Sequence, residues 1–320
     1  MALCEAGNAD GISDIRLGAA NLEQMNLMPR AIGSAFINLG DYAWLIEGPS
    51  AGLEAKKHAV HFWTRRGMIG ETMWARSESL RMLFDMGEWD QLESDAQEIL
   101  AWSGPQGARA VEIRALTYLA AVLLHRGRVD EPAAAETRIE EILQGDVDAE
   151  GMVPALGVAA IIRAAADENA AAMGLVTRLA EVTEQRSSWW AWFLPSAMRV
   201  LAGAGEFAMA EERLIDEADV GAPRDKHSVI TAKAILLEAQ DQPGDARDLY
   251  QEAARRWADY GFVLEEGQAH LGLARCLIAL GDREAATTPL QKARAIFSRL
   301  GALPLVTETH TYLDQAEAAS

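Results

Sequence analysis

His58 and His61 stand three residues apart, a spacing that would turn both imidazoles to one face of a helix and let them reach a common metal ion. No third ligand accompanies them, and Lys56 and Lys57 sit alongside, so they read as surface or seam histidines and no metal is expected. Asp146, Asp148 and Glu150 form an acidic loop that lacks the glycine and closing glutamate of a calcium loop. Neither a Gly-x-Ser-x-Gly nucleophile elbow nor a Gly-x-x-x-x-Gly-Lys-Ser/Thr phosphate loop occurs. The chain is therefore read as a non-enzyme without a cofactor. What remains is binding chemistry, and its densest expression is Ser187-Ser188-Trp189-Trp190-Ala191-Trp192-Phe193. The serines offer a helix N-cap, and four rings in the following turn cannot all face one neighbour. At least one, Trp192 before Trp189, is expected to touch a ligand, because large rings lose little conformational entropy on binding.

The elements that carry these residues are set by a period. Ala234, Leu237, Ala246 and Ala253 return forty residues later as Ala274, Leu277, Ala286 and Ala293, and Gly261 returns as Gly301. A repeat of that length marks stacked two-helix units. Turn signals at Gly48-Pro49-Ser50, Gly87-Glu88, Gly127-Arg128, Gly205-Glu206, Pro243-Gly244-Asp245 and Gly281-Asp282 are expected to end each helix A, with glycine left-handed. Between the stops, apolar residues fall three and four apart, as in Leu116, Leu119, Ala120, Leu123 and Leu124. Seven complete units follow, at 28–66, 67–103, 107–145, 150–184, 187–220, 225–261 and 265–301; in the fourth, Asp167-Glu168-Asn169 replaces the glycine turn. The organisation expected is a truncated first repeat at 1–27, an array at 28–301, and a capping helix with its tail at 302–320. Gly7-Asn8-Ala9-Asp10 looks like a turn inside a repeat, so the chain is expected to begin within a unit, as a fragment or as a variant terminal repeat.

Bulk properties narrow the partners. Half of the 320 residues are apolar, only 7% are aromatic, and alanine is heavily used, which favours an all-α chain. A net charge of −19 argues against nucleic acid or an anionic membrane as partner of this chain alone. Cys4 and Cys276 lie far apart without metal spacing, and no signal peptide or membrane span is read, so a cytoplasmic location is expected.

Asn38-Leu39-Gly40 followed by Trp44 resembles the helix A signature of tetratricopeptide repeats (TPR), as do Leu273-Ala274, Leu277, Gly281-Asp282, Ala286 and Ala293. The longer period, and endings such as Ala295-Ile296-Phe297-Ser298-Arg299-Leu300-Gly301, are similar to the arrays of large bacterial ATP-binding LuxR-type regulators and of AAA-ATPase-linked adenylate cyclases. The resemblance implies a right-handed superhelical solenoid of about seven to eight helix-turn-helix units with a C-terminal capping helix. It also implies a concave face lined by the A helices, where such arrays hold their ligands. Laid on that pattern, Arg81, Arg199 and Arg275 share one inward-pointing position, and Trp44, Trp74, Phe84, Arg114, Thr117, Trp192 and Glu238 project inward from others.

Arginine presents a planar fork suited to carboxylates, so the first expectation is a module that captures an acidic peptide or protein segment. The competing expectation is that these arginines pair with acidic neighbours across the seams. Two further readings stand beside peptide capture. One is the sensor region of an ATP-dependent regulator or cyclase, responding to a small inducer. The other is a groove that takes a small apolar ligand or substrate.

Overall fold

A computed structural model describes residues 10–25, 28–128, 130–145, 147–183 and 187–317. Cys4, the turn residues Gly7, Asn8 and Ala9, and Asp146 lie outside them. Among the described residues there is no strand. Helix α1 (Asp10–Met25) precedes seven antiparallel pairs, the first four being α2 (Pro29–Ile46) with α3 (Pro49–Thr64), α4 (Ile69–Met86) with α5 (Trp89–Gln106), α6 (Arg109–His125) with α7 (Asp130–Leu143), and α8 (Ala149–Ala165) with α9 (Asn169–Thr183). The remaining three are α10 (Ser188–Gly203) with the short α11 (Phe207–Arg213), α12 (Pro223–Ala239) with α13 (Pro243–Tyr260), and α14 (Val263–Ala279) with α15 (Arg283–Leu300). Helix α16 (Leu303–Glu317) lies against α15 and covers the last pair. The chain is thus an all-α, TPR-like superhelical array.

Local chemistry accounts for the boundaries. Pro29, Pro49, Pro223 and Pro243 open helices at the first turn, where the missing N–H would have no intrahelical partner. Gly87, Gly127, Gly205 and Gly281 take positive φ at the ends of A helices, as their spacing predicts. Two expected glycine stops are corrected. Gly244 lies inside α13; the left-handed position before it belongs to Asp241, at φ 60°, and Pro243 begins the helix. Gly48 keeps a positive φ of 110° that favours glycine, but its ψ of 172° lies outside the left-handed helical cap. In the fourth pair Asp167, also at φ 60°, does the work of the missing glycine, because a short polar side chain tolerates that region.

Pairs close up where small residues face each other. A Cβ added to Gly40 would sit 3.0 Å from the Gly52 carbonyl, and one added to Gly52 would sit 2.8 Å from the Gly40 carbonyl. The backbones of α2 and α3 therefore touch, which is what the glycine of Asn38-Leu39-Gly40 permits. Larger residues fill the seams: Trp63, Trp89, Trp190, Trp257 and Phe297 are wholly buried.

The winding has a consequence that the repeat alone does not dictate. Helix α12 packs against α2, α14 against α4, and α16 against α6, so the later A helices return to the earlier ones. The Tyr260 hydroxyl donates to the backbone carbonyl of Trp44, 216 residues away. The rings of Phe84 and Phe262 lie 6.3 Å apart, edge to face. The concave side is consequently walled in on itself, and what is left of it is a central chamber.

Candidate functional site: a chamber between the A helices

The chamber encloses about 500 Å³, within the usual range for small-molecule sites. Every pair supplies a wall from its A helix, and α16 adds Leu305. Phe84, Tyr118, Val158, Ile161, Phe193 and Leu264 make most of the surface apolar. The ionisable groups that reach it are Arg81, Asp85, His125, Arg199, Arg224 and Glu265.

Trp44 organises one end. Its ring meets that of Trp192 edge to face at 4.7 Å, and Trp192 in turn leans on Trp189 at 4.6 Å. Ser187 caps α10 by accepting from the Trp190 N–H, which fixes where these rings begin. The guanidinium of Arg81 lies over Trp44 at 4.0 Å and over Trp192 at 4.9 Å; that of Arg224 lies over Trp44 at 4.4 Å and over Phe262 at 5.7 Å. One indole thus carries two cations, an arrangement that gains strength where water is excluded. The Trp44 indole N–H donates to Asp85 Oδ2 at 2.7 Å. Burial pushes the Asp85 carboxyl up to about 6, against the pull of Arg224, the Trp44 hydrogen bond and Arg81. His125 is pushed down to about 4, by burial first and then by Arg199, so it is neutral at pH 7.

The arginines singled out by the repeat pattern are already engaged. Arg81 donates to Asp41 at 2.5 Å. Arg199 grips Glu265 with both terminal nitrogens, at 2.7 and 2.6 Å, tying α10 to α14. Arg275 holds Glu238 at 2.5 and 2.9 Å and Glu308 at 3.1 Å. Pairing across the seams, the competing expectation, describes all three. Arg114, only 4% exposed, pairs with buried Glu78 and with the half-exposed Asp148 and Glu150, and buried Lys56 enters the same ion cluster through Asp41 and Glu78.

Of the expected aromatic residues, Trp44 and Trp192 line the chamber and Trp189 backs it, whereas Trp74 lies away from it, packed on Trp63 at 5.9 Å. His58 pairs through Nε2 with the Glu23 carboxylate at 3.1 Å, and its ring lies tilted against Phe36 at 4.0 Å. A second, more polar hollow of about 570 Å³ adjoins the chamber, with Arg81, Tyr118 and Trp192 in the wall between them. Sequence reasoning missed Asp85, Arg224, Tyr260 and Phe262. No local signal marks them, since their role comes from the return of the sixth and seventh pairs to the first two.

No family model and no curated protein matches the sequence. Among solved structures, the chain is similar to BtubC (BKLC) from P. vanneervenii, at 13% identity and TM-score 0.43, covering 67% of this chain and 90% of that one. It is also similar to yeast Tom70, at 12% identity and TM-score 0.46, covering 94% of this chain and 59% of that one. Likeness at this level carries no argument about ligands, and the fold stands on the helix pairs themselves. No helix among the described residues is long and apolar enough to cross a membrane.

Proposed function

We propose that this TPR-like array is a non-enzymatic binding module that takes a compact small molecule into the chamber between its A helices. The observation that carries this reading is the contact of α12, α14 and α16 with α2, α4 and α6, which narrows an open trough to a partly open, largely apolar chamber. An extended acidic peptide, the first expectation, would need free arginines along an open face; Arg81, Arg199 and Arg275 already hold carboxylates of the protein itself. A sensor role for a regulator fits the same geometry. A ligand that bridges the early and late pairs would favour the closed winding, and small changes of twist add up along a stack in which each pair touches its neighbours.

N-phenyl-1-naphthylamine, a neutral apolar fluorophore, tests the reading. It should bind at one equivalent with enhanced emission, and Ala164→Trp, which fills the chamber wall, should abolish that binding while leaving the helical circular dichroism intact. Absence of binding, together with saturable capture of a glutamate-rich peptide sensitive to Arg275→Ala, would favour the open-trough account instead.

A further inference from the structure

Arg224 is a buried cation that, among the described residues, lacks a carboxylate partner. Its side chain is 4% exposed, and its Nε and Nη1 have no hydrogen-bond partner. Among the described residues no carboxylate reaches it within ion-pair distance. Asp85 and Asp225 feel its charge, but Asp85 accepts from Trp44 and Asp225 from the Ser188 hydroxyl. Its guanidinium carbon lies 4.4 Å from the centre of the Trp44 ring and 5.7 Å from that of Phe262, and the residue lines the chamber. A desolvated cation held only by ring faces is costly unless something completes it.

The other unsatisfied groups of the residues that line the chamber agree in kind, whereas Asp225 Oδ1, a buried acceptor without a partner, belongs to the adjoining hollow. Arg81 Nε and Trp192 Nε1 are buried without an acceptor, and both residues meet the same Trp44 ring. Ser228 Oγ, one turn along α12 from Arg224, is buried and unpartnered as well. One end of the chamber therefore gathers N–H donors that lack acceptors, and the rest of it is apolar. Water can meet the geometry of such donors but not the charge. Two oxygens on one atom match the fork of Arg224. A dianionic head would lie close to Asp85 and Asp225, so a single negative charge suits the site better.

We propose that the chamber binds an amphiphilic monocarboxylic acid, its carboxylate seated on Arg224 with Arg81 and Trp192 as further donors and its hydrocarbon body against Phe84, Ile161 and Leu264. This rests on the small-molecule reading of the chamber given above. The body gains from burial of apolar area, and the head gains from charge-assisted hydrogen bonds at a partly desolvated end of the chamber.

Calorimetric titration of the full chain with four ten-carbon probes tests it: decanoate, decan-1-ol, decylamine and decyl phosphate. Decanoate should bind at one equivalent, on the order of tenfold or more tighter than each of the others. Arg224→Met should weaken decanoate by roughly 30-fold and decan-1-ol by less than about threefold, the retained alcohol binding showing that the variant is folded. Arg224→Lys, which keeps the charge and loses the fork, should fall between. Equal binding of decanoate and decan-1-ol, both indifferent to Arg224→Met, would overturn the carboxylate assignment and leave the apolar chamber standing. Tighter binding of decyl phosphate would overturn it in favour of a phosphate head. Failure of all four probes would overturn both the assignment and the small-molecule reading.

Discussion

Gly87→Ala probes the closure of the array, and its cost can be worked out against an internal control. Gly87 and Gly205 end A helices at nearly the same φ, 75° and 76°. An alanine at either position is held in the left-handed region, a penalty of about 1–2 kcal/mol. At Gly205 a new Cβ meets nothing within 4 Å, so that penalty is the whole effect. At Gly87 it would lie 2.6 Å from Leu300 Cδ2 and 3.4 Å from Val263 Cγ1, atoms five pairs further along the chain. Leu300 is 2% exposed and cannot swing into solvent, so overpacking adds about 1–3 kcal/mol. Gly87→Ala is thus expected to cost about 2–5 kcal/mol in urea unfolding followed by circular dichroism, against about 1–2 for Gly205→Ala. Leu300→Ala should recover most of the excess in the Gly87→Ala background and none in the Gly205→Ala background, since only the first pair is in contact. Equal costs for the two glycines, or strict additivity of Gly87→Ala with Leu300→Ala, would refute the reasoning.

Three further outcomes follow from the buried charges and thiol. Glu78→Gln removes a carboxylate shared by the wholly buried Lys56 and by Arg114, and should destabilise by about 3–5 kcal/mol in thermal or urea unfolding. Burial pushes the Cys276 thiol up to about 12, so in a Cys4→Ser background it should resist iodoacetamide at pH 8 until urea unfolds the chain. The depressed pKa of His125 means that its contribution to stability is present above pH 6.5 and lost as pH falls towards 4, because the unfolded chain takes up the proton first. His125→Gln should therefore lose less stability than the natural chain between pH 6.5 and pH 4, by at most about 3 kcal/mol, measured by urea unfolding at each pH.

Most of the fold could be read from residues. The recurrence of Ala234 and Gly261 at Ala274 and Gly301 reflects steric demands inside and between helix pairs, and such demands repeat wherever the pair repeats. Turns were legible where glycine or proline carried them. They were misplaced at Gly244, where Asp241 took the left-handed position and freed Pro243 to start a helix. The site was less legible. Trp44, Arg81 and Trp192 were picked out by their place on helix A, and they do meet. That Arg224 and Phe262 would join them depends on the small rotation between successive pairs, summed over five pairs until α12 reaches α2. No single residue encodes that sum, so a cation at the start of α12 looked no different from its neighbours. The partners of Arg199 and Arg275 were hidden for a related reason: in a chain rich in acidic residues, only the packed geometry says which carboxylate each arginine reaches.

The closure of the array is tested most directly by the distance between Glu88 and Leu303, both exposed, replaced by cysteine and spin-labelled in a background without Cys4 and Cys276. Residue 88 adjoins the glycine that touches Leu300, so pulsed electron resonance should give a short separation, on the order of 20 Å with the labels' own reach included. Six steps between neighbouring A helices, from α4 to α16, at about 10 Å each in an open superhelix would place the labels on the order of 60 Å apart. A dominant population at that longer distance would contradict the account.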